Sequence, residues 1–232
     1  RADKIRSKLF TKLSREITVS AKLGSPDPEM NPRLRAAVQA ARAANMPKDN
    51  IERAIKKSQG NIDNSYEFSR YEGFGPGRTG VIIEVLTDNK NRSVSNIRTI
   101  FQKFGGTLGE TGSVSYQFEQ IGQIKIKKEL MSSNEALELA INAGAEDCIT
   151  TDLNHEINCK KEEFNSVREE IEKKVKDLTF AGLIWNPLNK INLEKETFTK
   201  LVNFLEQIED DDDVQNVFTN FEVDEKLLEG VN

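Results

Sequence analysis

The chain has 232 residues, of which 37% are apolar and 31% charged, and a net charge of −5. No stretch approaches the eighteen or so consecutive apolar residues of a membrane span, and two cysteines are too few for a disulfide scaffold, so the composition describes a soluble protein of a reducing compartment. The charge is uneven: up to Ser65 there are fourteen Lys/Arg against seven Asp/Glu, and the remainder carries nineteen against thirty-one. One end suits a polyanion and the body does not, which makes nucleic acid the first partner to consider.

From Asp3 to about Lys22, Ile5, Leu9, Leu13 and Ile17 recur every four positions with Phe10 beside them, the period of an amphipathic helix. At ~100° per residue, Arg1, Lys4, Lys8, Lys12, Arg15 and Lys22 fall within roughly an 80° arc, well away from that apolar stripe. Arg6 is the exception. Such a row can follow a phosphate backbone, releasing condensed counterions and conferring affinity with little sequence information; the plainer alternative is a solvated helix face.

Gly24-Ser25-Pro26-Asp27-Pro28 breaks this helix, and Asn31-Pro32 starts another with a capping side chain and a first-turn proline. The second helix, Pro32 to Asn45, carries six alanines with Leu34 and Val38, and places Arg35 and Arg42 together, seven residues apart. Met46-Pro47 ends it and opens a third, with Ile51, Ala54 and Ile55 inward, Arg53 and Lys57 aligned outside, and Gly60 as the stop.

After a polar linker, Gln59 to Ser65, the period shortens. Tyr66–Glu72 and Thr79–Thr87 read as strands joined by Gly73-Phe74-Gly75-Pro76-Gly77. This loop lacks the Gly-Lys-Ser/Thr ending of a P-loop and a following helix, so it predicts a hairpin turn rather than a phosphate cradle. Val94, Ile97, Ile100, Phe101 and Phe104 define a helix, and Ser113–Glu119 alternates like a half-buried strand. From Ile121 to about Leu188 the order is strand Gln123–Lys128, helix Ser133–Ala143, strands Asp147–Asp152 and Glu156–Lys160, helix Glu162–Lys176 and strand Leu178–Trp185, a ferredoxin-like split unit. Helix Leu193–Glu209 and strand Val214–Phe221 complete the chain.

Counting elements predicts an α+β, multidomain protein: a basic three-helix domain over 1–64, a split α+β domain over 65–120 and 189–232, and a ferredoxin-like α+β domain, 121–188, inserted in it. Catalytic chemistry finds little support. A two-residue turn at Leu153-Asn154 would put Cys148 opposite Cys159 and leave His155 exposed, yet a fourth metal ligand is missing. His155 has no serine or cysteine nucleophile placed beside it, and the acids from Glu209 to Asp213 lack the spacing of a calcium loop and predict a solvated turn. No enzyme activity, cofactor or metal is expected.

Leu9-Phe10-Thr11-Lys12-Leu13, Asn31-Pro32-Arg33-Leu34-Arg35 and the run from Ala41 to Lys57 resemble the N-terminal domain of the YebC/PmpR family. Tyr71 to Gly77, Leu86 to Arg92, Gly105-Gly106, Gly144 to Asp147 and Asp213 to Val217 resemble its other signatures, so the match covers nearly the whole chain. The resemblance implies a helical domain followed by two α+β domains, one inserted in the other. It also implies a role in gene expression: DNA binding in bacterial members, and translation on the ribosome, including mitochondrial activation and passage of proline-rich stretches. On that basis the expected partners are DNA or ribosomal RNA, with the ribosome itself as a further one and no membrane. The contacts expected are Lys4, Lys8, Lys12, Arg15, Arg35, Arg42, Arg53 and Lys57. The setting is cytoplasmic for a bacterial chain or mitochondrial for a eukaryotic one, and the oligomeric state stays open. A protein-interaction scaffold, meeting an acidic partner through the same helices, is the alternative of another class. Two departures stand out: the family's Met-Ala-Gly-His-Ser opening and its basic run do not precede Arg1, and Arg78 stands where many relatives have a further glycine.

Overall fold

The computed structural model describes residues 1–60 and 65–223, so the expected linker over Gln59 to Ser65 lies partly outside the described residues. They fall into two compact units, one within Arg1–Asp63 and Gln120–Ile184, the other within Asn64–Glu119 and Trp185–Asn232.

The first unit opens with three helices, α1 (Ala2–Leu23), α2 (Pro32–Ala43) and α3 (Lys48–Lys57). Asn31 sets the corner between α1 and α2. Its side-chain oxygen accepts the Leu34 N–H at 3.1 Å, capping α2, while its amide donates to the carbonyls of Ser20 and Ser25, both at 2.8 Å. Ile17, Ala21, Leu34, Ala37, Val38, Ala41, Met46, Ile51 and Ala54 form the bundle core. Small side chains on α2 permit this close packing, and Thr18 adds a cross-link by donating to the Ala54 carbonyl at 2.8 Å.

The same unit holds a four-stranded sheet. Its strands are β4 (Phe118–Lys127), β5 (Asp147–Thr150), β6 (Asn154–Lys160) and β7 (Leu178–Pro187), of which the first residues of β4 and the last of β7 belong to the other unit. Helices α5 (Ser133–Ala143) and α6 (Phe164–Glu172) complete it. The spatial order β5-β6-β4-β7 is the ferredoxin-like arrangement. Ile124, Ile126 and Ile157 of the sheet pack on Leu139 and Ala140 of α5 and on Val167 and Ile171 of α6. A Ser132–Glu135 capping box and left-handed Gly144 bound α5.

In the second unit, β1 (Glu67–Phe74), β2 (Gly80–Thr87), β3 (Thr107–Leu108) and β9 (Val214–Thr219) form an antiparallel sheet ordered β3-β1-β2-β9. A short parallel pair, β8 (Ile191–Asn192) with β10 (Phe221–Glu222), lies beside it in sequence. Helices α4 (Lys90–Lys103) and α7 (Lys195–Glu209) bring Ile97, Phe101, Phe198, Leu201, Phe204 and Ile208 onto Val81, Ile83 and Val85. Ile82, on the opposite face of β2, packs with Val114 and Phe118. With both faces covered, β2 carries the continuous apolar run seen in its sequence.

Four local expectations are corrected. Of the expected strand Ser113–Glu119 only the end is strand: the buried carboxylate of Glu72 accepts the backbone N–H groups of Gly112, Val114 and Ser115 at 2.8, 3.1 and 2.6 Å, curling this segment, and β4 begins only at Phe118. The β5–β6 turn centres on Asp152-Leu153. Thr151 fixes it by bonding Asn154, so Cys148 faces Ile157 instead of Cys159, and His155 faces Thr150. His155 is fully buried, not exposed, with Nε2 donating to the Met131 carbonyl at 2.8 Å and Nδ1 2.8 Å from Thr150 Oγ1. Finally, the acidic run is not all solvated: Asp213 is buried against Arg92 and Ser93.

Candidate nucleic-acid interface

Helix α1 changes character along its length. Residues 1–7 are exposed throughout, including Ile5 at 63%, and Leu9 is 45% exposed, whereas Ile17 to Ala21 are buried on every side. The apolar stripe therefore becomes core only from about Phe10 and Leu13 onward. Arg6, outside the cationic arc, lies over the Phe10 ring at 5.2 Å. Because α1 is one uninterrupted helix, Lys4, Lys8, Lys12 and Arg15 form a row running roughly 16 Å along its axis. Lys4 is exposed; Lys8, Lys12 and Arg15 are half-buried.

Arg42 near the end of α2, and Arg53 and Lys57 one turn apart on α3, are exposed. Arg35 is placed differently. Its Nε donates to Glu172 of α6 at 2.7 Å and its Nη1 to the Pro28 carbonyl at 3.0 Å, while the neighbouring Gln39 donates to the Lys176 carbonyl at 2.9 Å. This side of α2 thus docks on the end of α6. Arg168 Nε lies 3.3 Å from the other Glu172 oxygen, an ion pair without a hydrogen bond. Burial depresses the Arg168 guanidinium below its ordinary value, Glu172 opposes that shift, and Arg35 adds to it.

Of the expected contacts, Lys4, Arg42, Arg53 and Lys57 are exposed, Lys8, Lys12 and Arg15 are half-buried along α1, and Arg35 is held by an ion pair. Sequence reasoning passed over the exposed cations Arg33, Lys48 and Lys56 of the same helices. Arg33 pairs with Glu16 at 2.8 Å, seventeen residues away, where no local spacing could point. Among the described residues no group of three or more His, Cys, Asp or Glu side chains could hold a metal ion, and no helix is long and apolar enough to cross a membrane.

Comparison with known proteins agrees with this architecture. Residues 1–61 match the TACO1/YebC protein N-terminal domain, and residues 66–221 match the TACO1/YebC second and third domain. A protein of Pelagibacter ubique, named a probable transcriptional regulatory protein, is 54% identical over 220 residues, covering 95% of this chain and 91% of its own. The crystal structure of a conserved hypothetical protein from Aquifex aeolicus superposes with a TM-score of 0.86 at 43% identity, covering 97% of this chain and 93% of that one. The two matched segments between them span the helical bundle and both sheets, and the chain belongs to the TACO1/YebC family.

Proposed function

We propose that this chain is a non-enzymatic regulator of gene expression that binds nucleic acid through its N-terminal helices, with duplex DNA as the target. The observation that carries this reading is the cationic row of α1, which starts on the exposed end of the helix and runs along one side of it, in a chain that is acidic elsewhere. Lys4, Lys8, Lys12 and Arg15 contact consecutive phosphates, Arg42, Arg53 and Lys57 add contacts, and Arg35 contributes by fixing α2 on α6. The name of the Pelagibacter ubique relative favours transcription over translation.

Mobility shifts with duplex DNA at graded salt test it. Charge reversal at Lys4, Lys8 and Lys12 should weaken binding across all sequences and flatten the log–log salt dependence by about 0.9 for each phosphate no longer neutralised. Unchanged binding in that variant would overturn the assignment in favour of a protein-interaction scaffold. Comigration with ribosomes on a sucrose gradient that survives DNase treatment would replace duplex DNA with ribosomal RNA as the target.

A further inference from the structure

The glycine-rich loop between β1 and β2 forms more than a hairpin turn. Gly75, Pro76, Gly77 and Arg78 form one wall of a cleft of about 360 Å³, lined also by Phe104 to Thr107 at the end of α4 and by Thr197 and Lys200 of α7. Its parts come from three places in the sequence, and all belong to the second unit.

Two glycines bring the walls together. Gly77 has φ +71°, and a Cβ there would stand 2.6 Å from Thr197 Cγ2 and 2.8 Å from Leu193 Cδ2. A Cβ on Gly106 would strike the Phe74 carbonyl. The glycines thus let the loop, the end of α4 and the start of α7 close on one another, and the side chains of Phe74, Arg78, Phe104, Thr107, Thr197 and Lys200 line the space left between them. Phe74 and Phe104 are its aromatic residues, and Phe104 is fixed: it packs edge-on against Phe204, ring centroids 5.9 Å apart, and Phe204 packs edge-on against Phe101 at 4.9 Å. Among the described residues Arg78 and Lys200 are the ionisable members of the lining, both exposed cations, with no carboxylate beside them in it.

In a chain segment as acidic as this one, a cleft lined by two cations, four glycines and two aromatic rings selects for an anion that also carries a flat apolar group. We infer that it binds a nucleotide, with the phosphate held by Arg78 and Lys200 and the base against Phe104. The volume falls in the range of small-molecule sites. The source is a free nucleoside monophosphate or the unpaired terminal nucleotide of a strand. This assignment uses no residue of α1 and does not rest on the proposed function.

Amide NMR of the full chain tests the assignment, following Gly75, Gly77, Gly105 and Gly106 during titration with AMP, inorganic phosphate and a short 5′-phosphorylated single strand. Saturable shifts with AMP below about 1 mM, weakened roughly tenfold or more in Arg78→Gln/Lys200→Gln, are expected. Lys200→Gln alone, on the exposed face of α7, should give a severalfold loss and serves if the double variant disturbs the turn. Binding by the phosphorylated strand with weak AMP binding identifies a strand end as the source and also supports the site. Phosphate binding as tight as AMP, or no saturable shift with any of the three, overturns it. The titration makes no use of α1, so its failure leaves the duplex-binding reading intact, and failure of duplex binding leaves the cleft assignment intact.

Discussion

The guanidinium of Arg92, in the first turn of α4, lies 2.8 Å from the carboxylate of Asp213, 121 residues further along the chain at the start of the strand beside β2. Ser93 donates to the same carboxylate at 2.7 Å, and Asp88 receives Arg92 at 2.8 Å. Two motifs that are distant in sequence, Leu86 to Arg92 and Asp213 to Val217, are thus one structural device. It fastens α4 and β9 to the end of β2. The hydrogen bonds to Asp213 and then to Asp88 raise the Arg92 guanidinium above its ordinary value, against a smaller opposing effect of burial.

The two ends of this pair are not equivalent. Asp213 has a side chain 4% exposed and Arg92 one 43% exposed. Arg92→Ala leaves a buried carboxylate without its counter-ion and should destabilise the protein by about 3 kcal/mol. Asp213→Asn removes the charge that needed compensation and leaves a guanidinium that reaches water and keeps Asp88, so about 1 kcal/mol is expected. Urea midpoints of the two variants and of the double variant check this, with a double-variant loss well below the sum of the single losses.

Glu72 supplies the second prediction. Burial pushes its carboxyl up, but the N–H groups of Gly112, Ser115 and Val114 outweigh that and hold it below its ordinary 4.5. A carboxyl depressed on folding contributes stability that is present above 4.5 and is lost as the pH falls through the lower folded value. Glu72→Gln should cost about 2 kcal/mol at neutral pH, because an amide offers N–H to a pocket already full of donors. The same variant should show a flatter loss of stability below pH 4.5 than the parent. Thermal unfolding across that range, in parent and variant, measures both effects.

Glu72 also marks the limit of what the sequence shows. The helical period, the prolines and the caps make α1, α2 and α3 legible, and alternating isoleucines make the ferredoxin-like unit legible, because those signals are local. The Val114, Tyr116 and Phe118 alternation misleads because a carboxylate 42 residues before Val114 captures the segment's N–H groups and curls it. The hairpin register is off by two residues because a single hydroxyl, on Thr151, chooses the turn. At the candidate interface the cationic row is legible from spacing alone. The fate of Arg35 is not, since its partner Glu172 lies 137 positions away.

That partner carries the third prediction. Glu172 joins Arg35 of α2 to Arg168 of α6, whose side chains are 21% and 9% exposed. Glu172→Gln should destabilise the protein by about 3 kcal/mol, since Arg168 is left buried without its neutralising carboxylate. Arg35→Gln, which leaves the Arg168–Glu172 pair in place, should cost about 1 kcal/mol. Equal losses in the two variants would show that Arg168 does not depend on Glu172; guanidinium unfolding curves distinguish the cases.

The cysteines give a fourth. Cys159 is 2% exposed, and burial first, with Glu163 and Glu146 adding, pushes its thiol up to about 11. Cys148 is half-buried, and its thiol is raised by burial and then by Asp147. Native protein at pH 8 should therefore react slowly with a disulfide reagent, first at Cys148, while Cys159 reacts on the timescale of unfolding. Peptide mapping after timed labelling reads the order, and fast labelling of Cys159 would contradict the packing of β6 beneath α6.

The last prediction concerns the turn beside the cleft. Arg78 holds φ +58°, a left-handed conformation that costs a residue with a side chain on the order of 1 kcal/mol and glycine much less. Glycine also gains more freedom in the unfolded chain, by roughly 0.5 to 1 kcal/mol, so the two effects nearly offset. Arg78→Gly should thus leave stability unchanged or raise it by up to about 0.5 kcal/mol, whereas β-branched Arg78→Val should lower it by more than about 1 kcal/mol. The conformation is tolerated in the parent because Gly75 N–H donates to the Thr79 carbonyl at 2.8 Å and Thr79 Oγ1 donates to the Pro76 carbonyl at 2.9 Å, which holds the loop from both sides. If the cationic side chain is retained for the cleft, Arg78→Gly should weaken AMP binding without loss of melting temperature. A variant that loses stability and ligand binding together would instead show that the guanidinium braces the turn.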